Sequence, residues 1–187
     1  MAADTVKSAS ITTLDGTTTQ PPAPTQLTEG VGAPGRINNF SDFVTATSGG
    51  LASTSSTYKM VRLPTFAILK QAELYTKAGL DTSTGLKVDV GAYYSDSGID
   101  GTPFSLQGTL ISANCFVSAV AFGQSSAGSK IDALSNLDAN LRNSQLWAQV
   151  GLTTDPGGYI DIVVAVNTIA SGTAVAGNIG INVSAVN

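Results

Sequence analysis

The sequence predicts an all-β protein: an antiparallel β-sandwich, jelly-roll or immunoglobulin-like, with one or two short helices and a long extended N-terminal arm. Three observations favour this class. Several segments alternate apolar and polar residues with a period of two, the pattern of a strand that is buried on one face. Glycine-rich turns separate these segments. Charged residues make up only 12% of the 187 residues, which is about half the usual share.

The first 56 residues differ in composition from the rest of the chain. They are rich in Thr, Pro and Gly, and residues 48–57 have the composition of a flexible linker. Fixing about 50 such residues costs on the order of 50–100 kcal/mol of backbone entropy, which their few apolar side chains do not offset within one small domain. We therefore expect residues 1–56 to form an extended arm on other protein chains, and residues 57–187 to form the sandwich. An arm that wraps on its own domain is the alternative.

The predicted contact residues of the arm are its scattered apolar side chains and one cation. The apolar side chains offer surface that a neighbouring subunit can bury. Arg36 is the charge that we expect to pair with an acidic group of that subunit. The full set is Ile11, Leu14, Leu27, Val31, Arg36, Ile37, Phe40 and Phe43.

The sandwich strands are predicted where apolar and polar residues alternate. In the first of them, Tyr58, Met60 and Arg62 are expected to share one face. "LKVDVGAYY" carries the strongest alternation in the chain. Residues 105–122 fit either a strand or a short helix, and a short helix is predicted around 144–151. The predicted strands are 57–63, 67–76, 86–94, 159–167 and 178–186.

Charge and composition exclude several classes of function. The net charge is -4 and the nine Lys and Arg residues form no run, so no nucleic-acid partner is expected. No segment approaches ~18 continuous apolar residues, so no membrane insertion is expected either. The first residues lack the pattern of a signal peptide, which indicates synthesis in the cytoplasm. The chain has no histidine, which removes His-based triads and His-ligated zinc. We expect a non-enzymatic protein without a cofactor or metal.

Acidic residues are the first candidates for a site. The loop "DSGIDG" contains Asp96 and Asp100, but it lacks the spacing of a calcium-binding loop, so we expect a turn at the end of a strand. Asp89 and Asp161 each lie within a predicted strand. Their ordinary interpretation is a solvent-facing position, with a pair of catalytic carboxylates as the less favoured reading.

Two other features have a structural and a functional interpretation. Tyr93 and Tyr94 are candidates for a platform that stacks on sugars, although cross-strand aromatic pairing is the commoner role of such residues. Cys115 lies in an apolar run and is predicted to be a buried structural thiol, since no base or cation near it in the sequence would activate it.

Three stretches of the sequence resemble a known family. They are "VDVGAYY", "SQLWAQVGLTTDPGGYIDIVVAVN" and "GTAVAGNIGINVSAV", and together they are similar to capsid decoration, or cement, proteins of tailed bacteriophages, which are built on a β-sandwich. The resemblance covers residues 58–187, and the long arm before it is a departure. It implies no catalytic residue.

The resemblance implies a function and partners for the chain. It implies a non-enzymatic virion protein on the capsid exterior, made in the host cytoplasm, which binds the major capsid protein and forms a homo-oligomer, a dimer or a trimer. Its arm would lie across neighbouring capsid subunits and stabilise the shell. The alternative function is a carbohydrate- or receptor-binding module of a tail or surface fibre, with Tyr93 and Tyr94 as its platform.

Overall fold

The structure, a computed structural model, describes residues 3–15, 37–98, 100–125 and 127–186. Strands dominate this part of the chain, and the helices are short. The strands are β1 (Thr5–Lys7), β2 (Ile37–Ala46), β3 (Thr57–Pro64), β4 (Ile68–Ala78), β5 (Lys87–Tyr94), β6 (Leu110–Ala121), β7 (Ala127–Asp132), β8 (Tyr159–Thr168) and β9 (Gly177–Val186). The helices are α1 (Ala9–Asp15), α2 (Ser48–Leu51) and α3 (Leu146–Gln149).

The strands form two sheets that pack face to face. Sheet A has the order β1-β3-β8-β5-β6, and sheet B has the order β2-β9-β4-β7. Strand β1 pairs with β3 in parallel, while every other pair of neighbouring strands in the two sheets is antiparallel. The predicted all-β sandwich is confirmed, and α3 lies inside the predicted helical segment 144–151.

The core lies between the two sheets and follows the period-two pattern of the sequence. In β8 the inward side chains include Ile160 and Val164, and in β9 they include Ile179 and Ile181; all four are buried. Alternate residues point to opposite faces of a strand, so the faces predicted for 159–167 and 178–186 are confirmed. Each fully buried Ile or Leu of this core contributes roughly 1.5–3 kcal/mol of transfer free energy.

Residues 37–51 belong to the sandwich and not to an arm. Strand β2 pairs with β9 over its whole length, from Ile37 opposite Val186 to Ala46 opposite Gly177. Ala46 and Leu51 are fully buried in the core. The described sandwich therefore includes Ile37 and does not begin at residue 57. Backbone pairing and side-chain burial offset the entropy cost of ordering these residues, which the composition of the segment does not reveal.

Residues 3–15, which we call the strap, also lie on this domain. Strand β1 adds to the edge of sheet A, and α1 packs against β2 and β3. Ile11 on α1 is 0% exposed. Asp4 connects the strap to the start of α2, because its carboxylate accepts hydrogen bonds from the main chain and the hydroxyl of Thr47. The strap thus follows the alternative prediction of a segment that wraps on its own domain. Residues 16–36 lie outside the described part of the chain.

Candidate functional site

The outer face of sheet A carries a cluster of charges beneath the strap, and a β-bulge in β3 creates it. The register of β3 on β8 shifts between Lys59 and Val61. Met60 and Val61 are consequently both buried in the core, and Lys59 and Arg62 reach the same outer face although they are three residues apart. A bulge inserts one residue and so reverses the alternation beyond it. The prediction that Arg62 shares the face of Tyr58 and Met60 is therefore wrong.

Arg62 and Asp161 form a buried bidentate ion pair between β3 and β8. Arg62 Nε donates to Asp161 Oδ1 at 2.6 Å and Arg62 Nη2 donates to Oδ2 at 3.0 Å. The two side chains are 1% and 0% exposed. Burial by itself lowers the pKa of Arg62, but the hydrogen bonds and negative charges of Asp161 and Asp15 outweigh it and raise that pKa. Arg62 is therefore charged inside the fold, and the bidentate contact gives each of the two buried side chains its partner.

Asp96 joins the strap to the sheet. Its carboxylate accepts from Lys7 Nζ at 2.7 Å, Lys59 Nζ at 3.0 Å and Arg62 Nη2 at 2.9 Å. Burial raises the pKa of Asp96, but hydrogen bonds from Lys7 and Lys59 outweigh that effect and hold the pKa well below its usual range. Asp96 was predicted to be an ordinary turn residue; in the structure it bridges three cations.

The strap contributes one charge of each sign to this cluster. Lys7 of β1 lies 2.5 Å from Asp15 of α1, and Asp15 also accepts a hydrogen bond from Arg62. Asp100 completes the set at 4.0 Å from Arg62 Nη1. The Oδ2 atom of Asp100 has no hydrogen-bond partner among the described residues. The other charges of the cluster are hydrogen-bonded to one another, which is the arrangement that holds a segment in place. Within the described residues, no group of three or more His, Cys, Asp or Glu side chains is placed to hold a metal ion.

Asp89 and Asp161 do not form a catalytic pair. In the register of β5 on β8, Asp89 lies opposite Ala165 and Asp161 lies opposite Tyr93, so four residues, or roughly 13 Å of strand, separate them. Neither is solvent-facing as predicted: Asp161 is in the ion pair, and Asp89 is buried. Asp89 accepts hydrogen bonds from the main chain of Ala119 at 2.7 Å and from Asn167 at 2.9 Å.

Asp81 is a further buried acid, and no sequence pattern indicates its role. Its carboxylate accepts backbone hydrogen bonds from two loops: from Ser83, Gly85 and Leu86 on its own loop, and from Ser171 and Gly172 on the β8–β9 connection. Burial raises the pKa of Asp81, but these N–H groups outweigh it and lower the pKa. Asp81 therefore ties two loops together at one end of the sandwich.

The outer face of sheet B has a different chemistry. Outward side chains of neighbouring strands lie next to one another in rows across the sheet. None of the outward side chains of β2 and β9 is charged. Asn39 and Ser184 are hydrogen-bonded to each other, as are Thr45 and Asn178. On the β4–β7 side, Lys70 donates to the neutral Asn143 at 2.6 Å, and two pairs of opposite charges form: Lys130 lies 2.7 Å from Glu73, and Arg142 lies 3.9 Å from Asp132. These two charged pairs lie toward one edge of the face, and its β2–β9 half is neutral.

Two shallow grooves cross this face and share a border. A groove of about 290 Å³ lies between Asn39, Ser41 and Asn182 on one side and Gln71 on the other. A second groove of about 470 Å³ lies beyond Gln71 and extends to Arg142. The side chains of Ser41, Gln71 and Asn182 make no hydrogen bond to any other described residue, so their hydroxyl and amide groups are available to a partner.

An aromatic row borders these polar rows. Gly180 of β9 lies between Phe43 of β2 and Tyr75 of β4. A Cβ at Gly180 would lie 2.4 Å from the Tyr75 ring, so the ring lies directly across the glycine backbone. Phe43 remains 53% exposed. The glycine thus keeps the aromatic row close to the sheet and the face shallow.

The predicted arm contacts fall into four groups in the structure. Ile11 belongs to the strap and is fully buried, and Phe40 packs against the core. Ile37 and Phe43 are exposed on the outer face of sheet B, at 66% and 53%. Leu14 lies in α1, but its side chain is outside the described set. Leu27, Val31 and Arg36 all fall outside the described residues.

The predicted sugar platform does not form at Tyr93 and Tyr94. Neighbouring residues of a strand point to opposite faces, so the two rings cannot share one surface. Tyr94 is only 9% exposed, and Tyr93 is half-buried, opposite Asp161 of β8. Cys115 is partly buried against the core, as predicted, and burial raises the pKa of its thiol to about 12.

Comparisons with known proteins concern the fold. No protein-family model matches this chain, and no curated protein matches it. A chain in the capsid of Ralstonia phage GP4 is similar with a TM-score of 0.55 and 14% identity, over 83% of this chain and 87% of that one. A chain in the cyanophage Pam1 capsid asymmetric unit is similar with a TM-score of 0.50 and 18% identity, over 91% of this chain and 93% of that one. No helix among the described residues is long and apolar enough to cross a membrane. The chain therefore has a fold that is also present in two phage capsid structures.

Proposed function

We propose that this chain is a non-enzymatic structural protein of a bacteriophage virion, which decorates the exterior of the capsid and stabilises the shell. The observation that carries the proposal is the fold, which is shared over most of the chain with chains of two phage capsids. The motifs of residues 58–187 support it, since they resemble decoration proteins of tailed phages. The partner is the major capsid protein, and the chain acts as a homo-oligomer made in the host cytoplasm.

The chemistry of the described residues supports a structural role. Arg62 and Asp161 hold each other in a bidentate pair, and Asp81 is surrounded by backbone donors. Such groups fix the fold. The exposed face of sheet B offers hydroxyl and amide groups and two apolar side chains, which suit a protein contact with little dependence on salt.

The mechanism is linkage between binding and assembly. A protein that binds the assembled shell but not its separated subunits stabilises the shell by mass action. Several weak contacts per molecule act together, because the first contact raises the effective concentration of the others. We assign these contacts to the exposed Ile37 and Phe43 and to Leu27, Val31 and Arg36, which precede β2 in the chain.

The first experiment tests the function as a whole. Particles of the phage that encodes this chain are purified, and the chain is quantified in them by mass spectrometry. The particles are then stripped of it with mild denaturant and incubated with the purified protein. The proposal predicts many copies per particle and a higher melting temperature of the shell after the protein is returned. Absence of the chain from particles, or no change in shell melting on its return, would contradict the proposal.

The second experiment tests the arm contacts alone. Removing residues 1–55 is unsuitable, because it deletes β2 and core residue Leu51 and is expected to unfold the domain. A double change, Leu27→Ser with Val31→Ser, alters none of the residues that form the described fold. It is expected to lower occupancy on stripped particles without changing the urea midpoint. Val175→Ser, at an exposed apolar residue of the sandwich, serves as the control. Full occupancy of the double variant would contradict the assignment of contacts to Leu27 and Val31, but it would not contradict the decoration role.

A further inference from the structure

The two outer sheet faces differ in whether other described residues of the chain cover them. The strap adds a strand to the edge of sheet A, and its Lys7 and Asp15 enter the charge cluster on that face. On sheet B, Ile37 and Phe43 remain 66% and 53% exposed within the described residues. The two side chains lie six residues apart on β2, roughly 20 Å, with polar side chains between them. Apolar residues set among hydrogen-bonding groups are the composition of a protein contact surface.

The hydrogen-bonding groups of sheet B are arranged for a flat partner. Ser41 lies opposite Asn182 on the neighbouring strand, and Gln71 lies opposite Ser184. The side chains of Ser41, Asn182 and Gln71 have no partner among the described residues, and they border the same groove. A partner that approaches the sheet can therefore form direct hydrogen bonds without first breaking internal ones.

The charge pattern restricts the chemistry of that partner. Glu73 is neutralised by Lys130 at 2.7 Å, and the β2–β9 half of the face has no charged outward residue. Lys70, whose Nζ donates to the neutral Asn143, lies on the β4–β7 side of the face. Over the β2–β9 half, a strongly acidic or basic partner would lose its hydration without gaining an opposite charge. The fitting surface is an uncharged protein surface that offers hydrogen-bonding groups and recesses for Ile37 and Phe43.

The area of the face limits how strong a single contact through it can be. Strands of ten residues in a four-stranded sheet cover roughly 600 Å², which is below the ~800 Å² per partner of a stable isolated complex. A single contact of this size is weak in free solution. It becomes stable where other contacts of the same molecule are already made, as on a shell. This favours a shell subunit over a second free copy of the chain.

We propose that the outer face of sheet B is the surface on which the protein docks to a neighbouring protein subunit of the shell, through Ser41, Gln71, Asn182, Ile37 and Phe43. The inference rests on the proposed virion function and adds the docking face and the chemistry of the partner surface. It also assigns the outward orientation, because docking through sheet B turns the strap and sheet A away from the shell.

The test compares two arginine substitutions on this face with one elsewhere. Ser41→Arg and Gln71→Arg each place a charge among exposed polar residues of sheet B. Ser105→Arg makes the same change at an exposed serine of the β5–β6 loop. Urea unfolding checks that all three proteins are folded. Binding to stripped particles of the phage that encodes the chain is measured by co-sedimentation over a concentration series, and the mass of each free protein is measured by light scattering.

The expected result is that Ser41→Arg and Gln71→Arg bind about tenfold or more weakly, because an arginine buried against an uncharged surface lacks a partner, while Ser105→Arg binds like the wild type. If both sheet B variants bind as tightly as the wild type, the assignment of docking to sheet B is wrong, and the proposed virion function is unaffected. If those variants instead convert a wild-type dimer into a monomer with unchanged particle binding, the occupant is a second copy and the proposal is wrong. A wild-type protein that does not return to the particles overturns the virion function, and this inference with it.

Discussion

The outer faces of the two sheets show opposite uses of charge. On sheet A, Lys59, Arg62 and Asp161 lie beneath or beside the strap and are largely withdrawn from water. On sheet B, the half of the face formed by β2 and β9 is exposed and uncharged. Charged side chains are ordinarily left in water and are rarely buried unless paired. This protein places charges where the chain folds on itself and keeps neutral groups where a partner can contact it.

A weakly charged protein can still hold a terminal segment firmly if its few charges form buried ion pairs. Neutral polar contacts lose little when water replaces them, whereas a half-buried ion pair leaves an unpaired charge when it opens. The strap is therefore expected to be a stable part of the fold. The face of sheet B can release and rebind a partner without such a loss.

The largest expected effect is at the centre of the cluster on sheet A. Arg62→Met leaves Asp161 as a buried carboxylate without its bidentate partner, and it should lower the free energy of unfolding by about 3–5 kcal/mol. Urea unfolding measures this, with Arg142→Met as the control because that side chain is 42% exposed. Adding Asp161→Leu to Arg62→Met should recover part of the loss. A loss below about 1 kcal/mol for Arg62→Met would show that the pair is not buried as described.

A smaller effect is expected for the apolar contact of the strap. Ile11→Ala removes a fully buried side chain and should cost about 2–4 kcal/mol. Ile37→Ala makes the same chemical change on the exposed face of sheet B and should change stability by less than about 0.5 kcal/mol. The pair of variants compares the two faces directly in one denaturation experiment. Equal effects would mean that Ile11 of the strap is not buried against the domain.

The charge that joins strap and sheet is expected to depend on pH. The pKa of Asp96 is depressed in the folded protein, so its stabilisation is complete above the unfolded value of about 3.9 and is lost as pH falls toward the folded value. Lys7, Lys59 and Arg62 face this carboxylate, and the pKa values of Lys7 and Arg62 are raised, so these two stay protonated throughout. Asp96→Asn should therefore cost about 1.5–3 kcal/mol at pH 7, and the gap to wild type should narrow below about pH 4. A difference in unfolding free energy that does not change with pH would contradict the ion pairs of Asp96.

The smallest expected effect on stability is at Gly180 of sheet B. Gly180→Ala places a Cβ 2.4 Å from the end of the Tyr75 ring, but that ring can tilt outward, so the change in unfolding free energy should stay within about 1 kcal/mol. The affinity for particles should fall more than the stability of the fold, because the tilted Tyr75 ring projects from the face and keeps a flat partner away. Calorimetry and the particle co-sedimentation assay separate the two effects. A variant that docks like the wild type would show that the aromatic row is outside the contact.

The sequence predicted the elements whose pattern is simple. Strands β5, β8 and β9 alternate strictly, and both their positions and the inward faces of β8 and β9 are confirmed. Strand β2 was missed because "INNFSDFVTA" places polar Asn38 inward among its few apolar residues. The Thr- and Pro-rich stretch before it also dominated the composition of that region.

The charge cluster could not be predicted for a different reason. Arg62 and Asp161 are 99 residues apart in the chain, and local patterns carry no information about such pairs. The bulge after Lys59 reverses the face of Arg62, and an unbroken alternation in the sequence does not reveal it. The exposed positions of Ile37 and Phe43 were named as contacts, but on an arm rather than on a sheet, because their outward direction follows from the pairing of β2 with β9.

The most direct test of the account is an electron cryo-microscopy map of the phage particles that contain this protein. The account predicts sandwich-shaped density on the outside of the shell, with the outer face of sheet B toward the capsid subunits and the strap toward solvent. Particles without this density would contradict the virion function. Density in which sheet A faces the shell would contradict the assignment of the docking face.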